Sequence, residues 1–528
     1  MMMKMIRSLN EYSQLVTVAI MQYLKTLLIA ISLLTSSVSI YPQIPGAYAD
    51  GIHKDTKAIQ QAFDSIANIG GGTVHFTPGV YLTGPFVLKG NNLIVQIDSG
   101  ATILASPSMK DYYPDGADTS LPLTNTKNFI SASGFRNMTI QGKGTIDGQG
   151  SVWWPTVDNP PRPRLIELDK GVHLEVKEVT LTNSPKFHLC PSHCYDVYIH
   201  DICIIAPSTS PNTDGIDPGI SHKVLITNCY IDNGDDNIAF SPSSADPGWT
   251  SASTNIIIKN NTFMHGHGVS IGSYTQGGVD SMLVDSCTFT NTDNGIRIKS
   301  QRDRGGNVHG ITYSNLTMTN VRYPIYFTAF YSGIPSQSAD TLFPITTTTP
   351  YFHDIKIINL TSTNTSSNSV AGIIVGVPEE PFNNITLQNV KLSAYKGIQF
   401  RNASISVSDT MLINVTSGPR IIYELRSQLI TGISDTPPAI PVGCALMQNY
   451  PNPFNPSTTI KYSLPKAMHV SLSIYNSMGQ EVSKLISQDM NAGVHSAEWN
   501  ASGLASGVYY YRIIAGNFTE ARKLLLLK

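Results

Sequence analysis

VKEVTL at residues 176–181 decides the fold, because the same phrase returns as IHDICI at 199–204, ITNCYI at 226–231, IKNNTF at 258–263 and VDSCTF at 284–289. Further copies are YSNLTM from Tyr313, IINLTS from Ile357 and LQNVKL from Leu387. The phrase runs apolar, two usually polar positions, apolar, one variable position, apolar. Copies lie about 23 to about 32 residues apart with one gap of about 44, a period that suits the coils of a β-solenoid rather than propeller blades or helix pairs. The fourth position supplies the column Val179, Ile202, Cys229, Asn261, Cys287, Leu316, Leu360 and Val390, predicted to stack along the interior. Cys229 and Cys287 are thereby core residues, since a buried free cysteine packs as a small hydrophobe.

A second strand repeats with the same period: GID from Gly215, NIA from Asn237, GVS from Gly268, GIR from Gly295 and PIY from Pro324. Its column Ile216, Ile238, Val269, Ile296 and Ile325 must point inward, and strand alternation turns the residues beside each of them outward. The expected fold is all-β: a right-handed parallel β-helix followed by a small C-terminal β-sandwich. Asn and Gly at the corners fit its tight turns. Near the start, Asp55 and Thr56 precede AIQQAF and GGG begins at Gly70, which predicts a capped amphipathic helix closing the open end of the solenoid.

The chain has 528 residues, 14% of them charged, with a formal net charge of -2, which leaves no basic surface for nucleic acid or an acidic membrane. Residues 1–40 carry Lys25, the apolar run 27–34 and the small residues 35–39, the layout of a secretory signal peptide. That pattern begins cleanly at Met21, so the preceding residues are either an over-extended start or a longer signal region. No later segment reads as membrane-spanning. Residues 41–430 form the solenoid domain, 431–445 a Pro-rich linker containing DTPPAIPVG, and 446–528 the sandwich, whose strands are TTIKYSL, HVSLSIYN, HSAEWN, GVYYYRIIAG and ARKLLLLK. Six cysteines at irregular spacing make no disulfide framework. Cys190 and Cys194 are the only close pair, and their spacing leaves a local bridge open.

Aligning the coils puts Asp214, Asp236 and His267 at one phase on three successive rungs, with Asp235 one residue earlier. Parallel strands are about 4.8 Å apart, so these groups form one polar patch. On the next rung Arg297 and Lys299 alternate with the inward Ile296 and Ile298 and project outward. Any one aspartate here could be a turn former, but an adjacent pair stacked above a third is costly unless a proton or a cation compensates. Crowded carboxylates are what glycoside hydrolysis uses, one protonated to donate to the leaving oxygen and another ionised to activate water. The cations suit the carboxylate of a uronic acid.

NTDGID from Asn212, GDDNIAF from Gly234, GHGVSIGS from Gly266 and RIK from Arg297 resemble the four signature blocks of glycoside hydrolase family 28, the polygalacturonases, in the family's order. The likeness spans residues 41 to about 420. It implies a pectin lyase-like solenoid that cleaves α-1,4-galacturonide linkages with inversion and with no cofactor or metal. Asp235 then corresponds to the general acid, Asp214 with Asp236 to the pair activating water, and His267 to a support for the acid. Asn212, Arg297 and Lys299 fall at substrate-binding positions, the cations on the galacturonate carboxylate. Tyr331, in the longest coil insertion, stands where the family places a substrate-contacting tyrosine, with Tyr326 the nearby alternative. Asn237 replaces a frequent cysteine. Stacking on adjacent rungs also puts the carboxylates closer than the roughly 6.5 to 9.5 Å expected of inverting enzymes.

Residues 446–528, beginning LMQNYPNPFNPSTT, resemble the sorting domain of the type IX secretion system, with a carbohydrate-binding sandwich as the alternative. The two likenesses together imply a secreted monomer, extracellular or attached to the cell surface after crossing the outer membrane. Its partners would be polygalacturonate and the type IX secretion machinery. The competing readings are a rhamnogalacturonan or xylogalacturonan hydrolase of the same family, a calcium-dependent pectate lyase, and a non-catalytic glycan-binding β-helix. The intact NTD and RIK blocks favour homogalacturonan.

Overall fold

The computed structural model describes residues 44–115, 124–156, 160–243, 252–431, 443–449, 451–490 and 492–527. The signal region and most of the linker lie outside the described residues. The chain divides into two compact units, 1–432 and 433–528.

One coil shows how the first unit is built. Strand His222–Thr227 bends at Asn228 into strand Tyr230–Asp232, a polar turn follows, and strand Ile238–Phe240 completes the coil. Repetition gives a 22-stranded sheet from the first two strands of each coil, and from the third strands a 4-stranded sheet in the early coils and a 7-stranded one in the later coils, with strand pairing parallel in all three. Both interior columns form as expected. Ile216, Ile238, Val269, Ile296 and Ile325 pair in unbroken register, and each is fully buried. Burying one such side chain is worth about 1.5 to 3 kcal/mol.

The third position of the repeated phrase also has a structural meaning. Glu178, Asp201, Asn228, Asn260, Ser286, Asn315, Asn359 and Asn389 all adopt φ between +51° and +60°. Asparagine tolerates this left-handed conformation better than most residues. Outside the barrel the amides stack: Asn389 Nδ2 donates to Asn359 Oδ1 at 2.9 Å, and Asn359 Nδ2 to Asn315 Oδ1 at 2.9 Å. Inside, Asn261 is the polar member of the fourth-position column. Its Oδ1 accepts from the Cys229 amide at 2.8 Å, and its Nδ2 donates to the Ile226 carbonyl at 3.1 Å.

The helix Thr56–Asn68 buries Ala58, Ile59 and Phe63 against the first coils. Asp55 does not cap it with its side chain. At φ -92°, ψ 3° the residue lacks the extended backbone that side-chain capping requires. Its carboxylate instead accepts from the Tyr48 and Ala49 amides at 2.7 and 3.0 Å and so pins the segment ahead of the helix. All six cysteines are free thiols, so no bridge joins Cys190 to Cys194.

The second unit packs two antiparallel sheets around Phe454, Tyr462, Trp499 and Tyr511. The five strands expected from sequence are present, together with Glu481–Met490, which pairs with Met468–Tyr475 at the rim of its sheet. Its burial alternates weakly, which is why the pattern hides it.

Asn261→Ala removes the side-chain partner of the buried Cys229 amide and is expected to lower stability by about 1 to 3 kcal/mol. Urea unfolding of the full chain measures this, with the half-exposed Ile257→Ala as the milder control.

Candidate active site

The inward column fixes what lines up outside it. Two residues ahead of the paired Ile166, Leu189, Ile216, Ile238 and Val269 stand Arg164, Phe187, Asp214, Asp236 and His267, one per rung. One residue after the same positions the outward row runs Glu167, Cys190, Asp217, Ala239, Ser270, and continues to Arg297 and Tyr326. The small Ala239 lies on the floor of a cleft of about 460 Å³ lined by Asn212, Asp214, Asp235, Asp236, Lys299 and Tyr331 among others.

The turns that carry the acids are held by buried amides. Asn233 donates to the Thr213 and Asp236 carbonyls at 2.8 and 3.0 Å and accepts from Asn237 at 2.8 Å, while Asn237 Oδ1 accepts from the Gly268 amide at 2.8 Å. Asn237 is therefore a bracing residue of two coils. Glycines flank His267 because nothing larger fits. A Cβ on Gly266 would lie 2.3 Å from the Asp235 carbonyl oxygen, one on Gly268 2.2 Å from that of Gly295, and both have positive φ.

Asp236 is the electrostatic centre. Lys299 Nζ reaches its Oδ2 at 2.7 Å, while Arg297 Nη1 at 3.2 Å and the Ser270 hydroxyl at 2.6 Å donate to Oδ1. His267 Nδ1 stands 3.1 Å from Asp235 Oδ1 and 3.7 Å from Asp236 Oδ1. Asn212 Nδ2 donates to Asp235 Oδ2 at 3.3 Å. The cations do leave the core as expected, but they fold over Asp236 and are largely buried rather than forming an open face. Tyr331 stands over Lys299 at the cleft, whereas Tyr326 packs 5.9 Å from Arg297.

The acids are pushed in opposite directions. Burial alone would raise Asp236, but Lys299, then Arg297 and His267, overcome it and hold its carboxyl at about 2. Asp214 goes the other way: burial, then the charges of Asp217, Asp235 and Asp236, outweigh the pull of Lys299 and raise it well above the carboxylate range, and its Oδ1 has no hydrogen-bond partner among the described residues. The two neighbouring carboxyls are thus driven apart, Asp236 toward the ionised form and Asp214 toward the protonated one. Donor atoms of Asp235, Asp236 and His267 lie within 4.8 Å of one another, near enough to hold a cation, although Lys299 and Arg297 already supply positive charge there. The same figure places Asp235 and Asp236, neighbours in the chain, closer than the usual inverting separation.

Residues 96–411 match Glycosyl hydrolases family 28. The chain belongs to glycoside hydrolase family 28. An endo-polygalacturonase of Pectobacterium carotovorum subsp. carotovorum is 33% identical over 371 residues, which cover 66% of this chain and 87% of that protein. The crystal structure of polygalacturonase from Erwinia carotovora ssp. carotovora superposes with a TM-score of 0.59 at 30% identity, covering 70% of this chain and all of the other. An exopolygalacturonase from Thermotoga maritima shares the fold, with a TM-score of 0.58 at 22% identity over 74% of this chain and 93% of that one. Residues 448–527 match the Secretion system C-terminal sorting domain, which marks a secreted or cell-surface protein.

Three further participants were given no role in the reading of the sequence. Arg162, buried, donates to Asn212 Oδ1 at 2.7 Å and to the Pro211 carbonyl at 2.6 Å, turning the Asn212 amide nitrogen toward Asp235. Asp217 stands inside the NTDGID string; burial, then Asp236, raise its carboxyl against the pull of Arg164. His188, fully buried, lies 2.9 Å by its Nδ1 from the Asp214 carbonyl, and its Nε2 accepts from the Ser184 amide at 3.3 Å, so the ring is neutral. Burial lowers it to about 4, against its hydrogen bonds to the Asp214 and Thr213 carbonyls.

A histidine lowered from 6.5 to about 4 adds stability that is complete above pH 6.5 and lost as pH falls through about 4. Asp214 and Asp217, being raised, act in the opposite sense. The expected readout is therefore a difference: between pH 6.5 and 4, His188→Gln loses less urea stability than the wild type.

Proposed function

We propose that this chain hydrolyses the α-1,4-galacturonide linkages of pectin with inversion, as a polygalacturonase. The single observation that carries the reading is Asp236 clamped by Lys299 and Arg297, with Asp214 buried among acidic groups in the same cleft and Asp235, paired to His267, beside them. Asp235 is the proton donor to the leaving oxygen, at the side of the cleft where Asn212 and His267 orient it. Asp214 and Asp236 face the water. Between them they hold one proton, so Asp236 accepts from the water while Asp214 donates a hydrogen bond to it.

Arg297 and Lys299 have a double task in this scheme. A galacturonate carboxylate entering the cleft competes with Asp236 for both cations. As they turn to the substrate, Asp236 loses counter-charge and its proton affinity climbs, making it a stronger base when a uronate is bound. A neutral sugar in that subsite leaves Asp236 clamped and weakly basic, which favours homogalacturonan over backbones that alternate with rhamnose. The sorting unit fits export by the type IX machinery through the outer membrane, with polygalacturonate outside the cell as substrate.

Purified full-length protein is expected to release reducing ends from polygalacturonate without the ultraviolet absorbance of an unsaturated product. Asp235→Asn should lower kcat by about 10² to 10⁴ while binding persists; a variant with wild-type kcat would remove Asp235 from the acid role. Lys299→Met should move the acidic limb of the kcat/KM profile, which reports the free enzyme, to higher pH, because Asp236 then takes a proton more readily. An unmoved limb would detach the base from Asp236.

A further inference from the structure

Beyond Lys299 the cleft wall carries a stack that none of the four signature blocks contains. Tyr274, Arg304 and Tyr331 follow the strands Val269–Ile271, Asn294–Lys299 and Tyr323–Thr328, one from each of three successive coils. The Arg304 guanidinium lies 4.7 Å from the Tyr274 ring centroid and 5.7 Å from that of Tyr331, so one cation is within cation–π reach of two aromatic rings. Both tyrosines are 45% exposed, and both line the cleft.

Arg304 is itself anchored. Its Nη1 donates to Ser273 Oγ at 3.1 Å, its amide donates to the Gln301 carbonyl at 3.0 Å, and its carbonyl accepts from the Thr275 amide at 2.9 Å. Tyr331 has little else to hold it. Its amide donates to the Ser300 carbonyl at 2.9 Å, and its ring meets Lys299 at 5.7 Å. Once Lys299 turns toward a substrate carboxylate, Arg304 is the cation still in place against that ring.

We propose that Arg304 is a positioning residue that acts through Tyr331, holding its ring in the cleft so that a uronate sugar meets a preset wall. This rests on the proposed function and on the substrate-contacting position that the family resemblance implies for Tyr331. A half-exposed tyrosine without a stacking partner samples several rotamers, and ordering it then weakens binding. The loss therefore falls on KM more than on kcat. Arginine suits the place because its flat guanidinium stacks on rings, whereas a lysine ammonium is a compact point charge.

The test is a double-mutant cycle on the full chain, with polygalacturonate as substrate. Arg304→Ala is expected to raise KM about 3- to 10-fold with kcat changed less than about 2-fold. Arg304→Lys should recover only part of that loss. Tyr331→Ala should cost at least as much as Arg304→Ala, and the double variant should be no worse than Tyr331→Ala alone. Tyr274→Ala, at a half-exposed position, provides the same direction of change at smaller size should Arg304→Ala fold poorly. Penalties that multiply, or an Arg304→Ala or Tyr274→Ala enzyme with wild-type KM beside an impaired Tyr331→Ala, overturn the inference and leave the proposed function standing. Wild-type kinetics in Tyr331→Ala overturn both the inference and the role of that tyrosine.

Discussion

Everything in the catalytic unit depends on the in-register stacking of one aliphatic side chain upon the next, from Ile216 through Ile238, Val269 and Ile296 to Ile325. Each pairing buries its rung and at the same time dictates which residues stand two positions earlier and one later. The carboxylates, the imidazole and the two cations come together because they are all offset from that column by fixed small numbers. The site is thus a by-product of core packing, and its precision is that of the hydrogen-bonded ladder beneath it.

The interior columns and the convergence of Asp214, Asp236 and His267 were legible because solenoid periodicity converts linear spacing into distance. A further signal was present at the third position of the repeated phrase, where Asn, Asp, Ser and Glu alone occur, and where every chain copy bends left-handed. What stayed hidden has a common cause. Arg162 reaches Asn212 from 50 positions away, and His188 meets Asp214 through a backbone carbonyl, a contact that leaves no mark on residue type. Asp55 has the residue type of a helix cap, but its backbone angles assign its carboxylate to two other amides. The burial of Lys299 was invisible as well, since alternation tells which face a side chain leaves from and nothing about what covers it.

The two halves of the cleft differ in how they are built. On the carboxylate side, buried amides of Asn233 and Asn237 and the close-packed Gly266 and Gly268 leave almost no room for substitution. On the far side, the wall formed by Tyr274, Arg304 and Tyr331 stands on loops and is partly open to solvent. Rigid chemistry and a more adjustable rim thus share one floor.

The coils consequently impose a rule on how such a chain can change over generations. A single residue gained or lost inside Ile238–Phe240 or Val269–Ile271 would exchange inward for outward side chains along that rung and scatter the acids. Residues added between strands, as in the stretch from Phe330 to Pro350 that carries Tyr331, disturb no rung. Lineages built on this scaffold are free to lengthen their loops and remodel the cleft rim, while the strands beneath tolerate only replacement, never insertion.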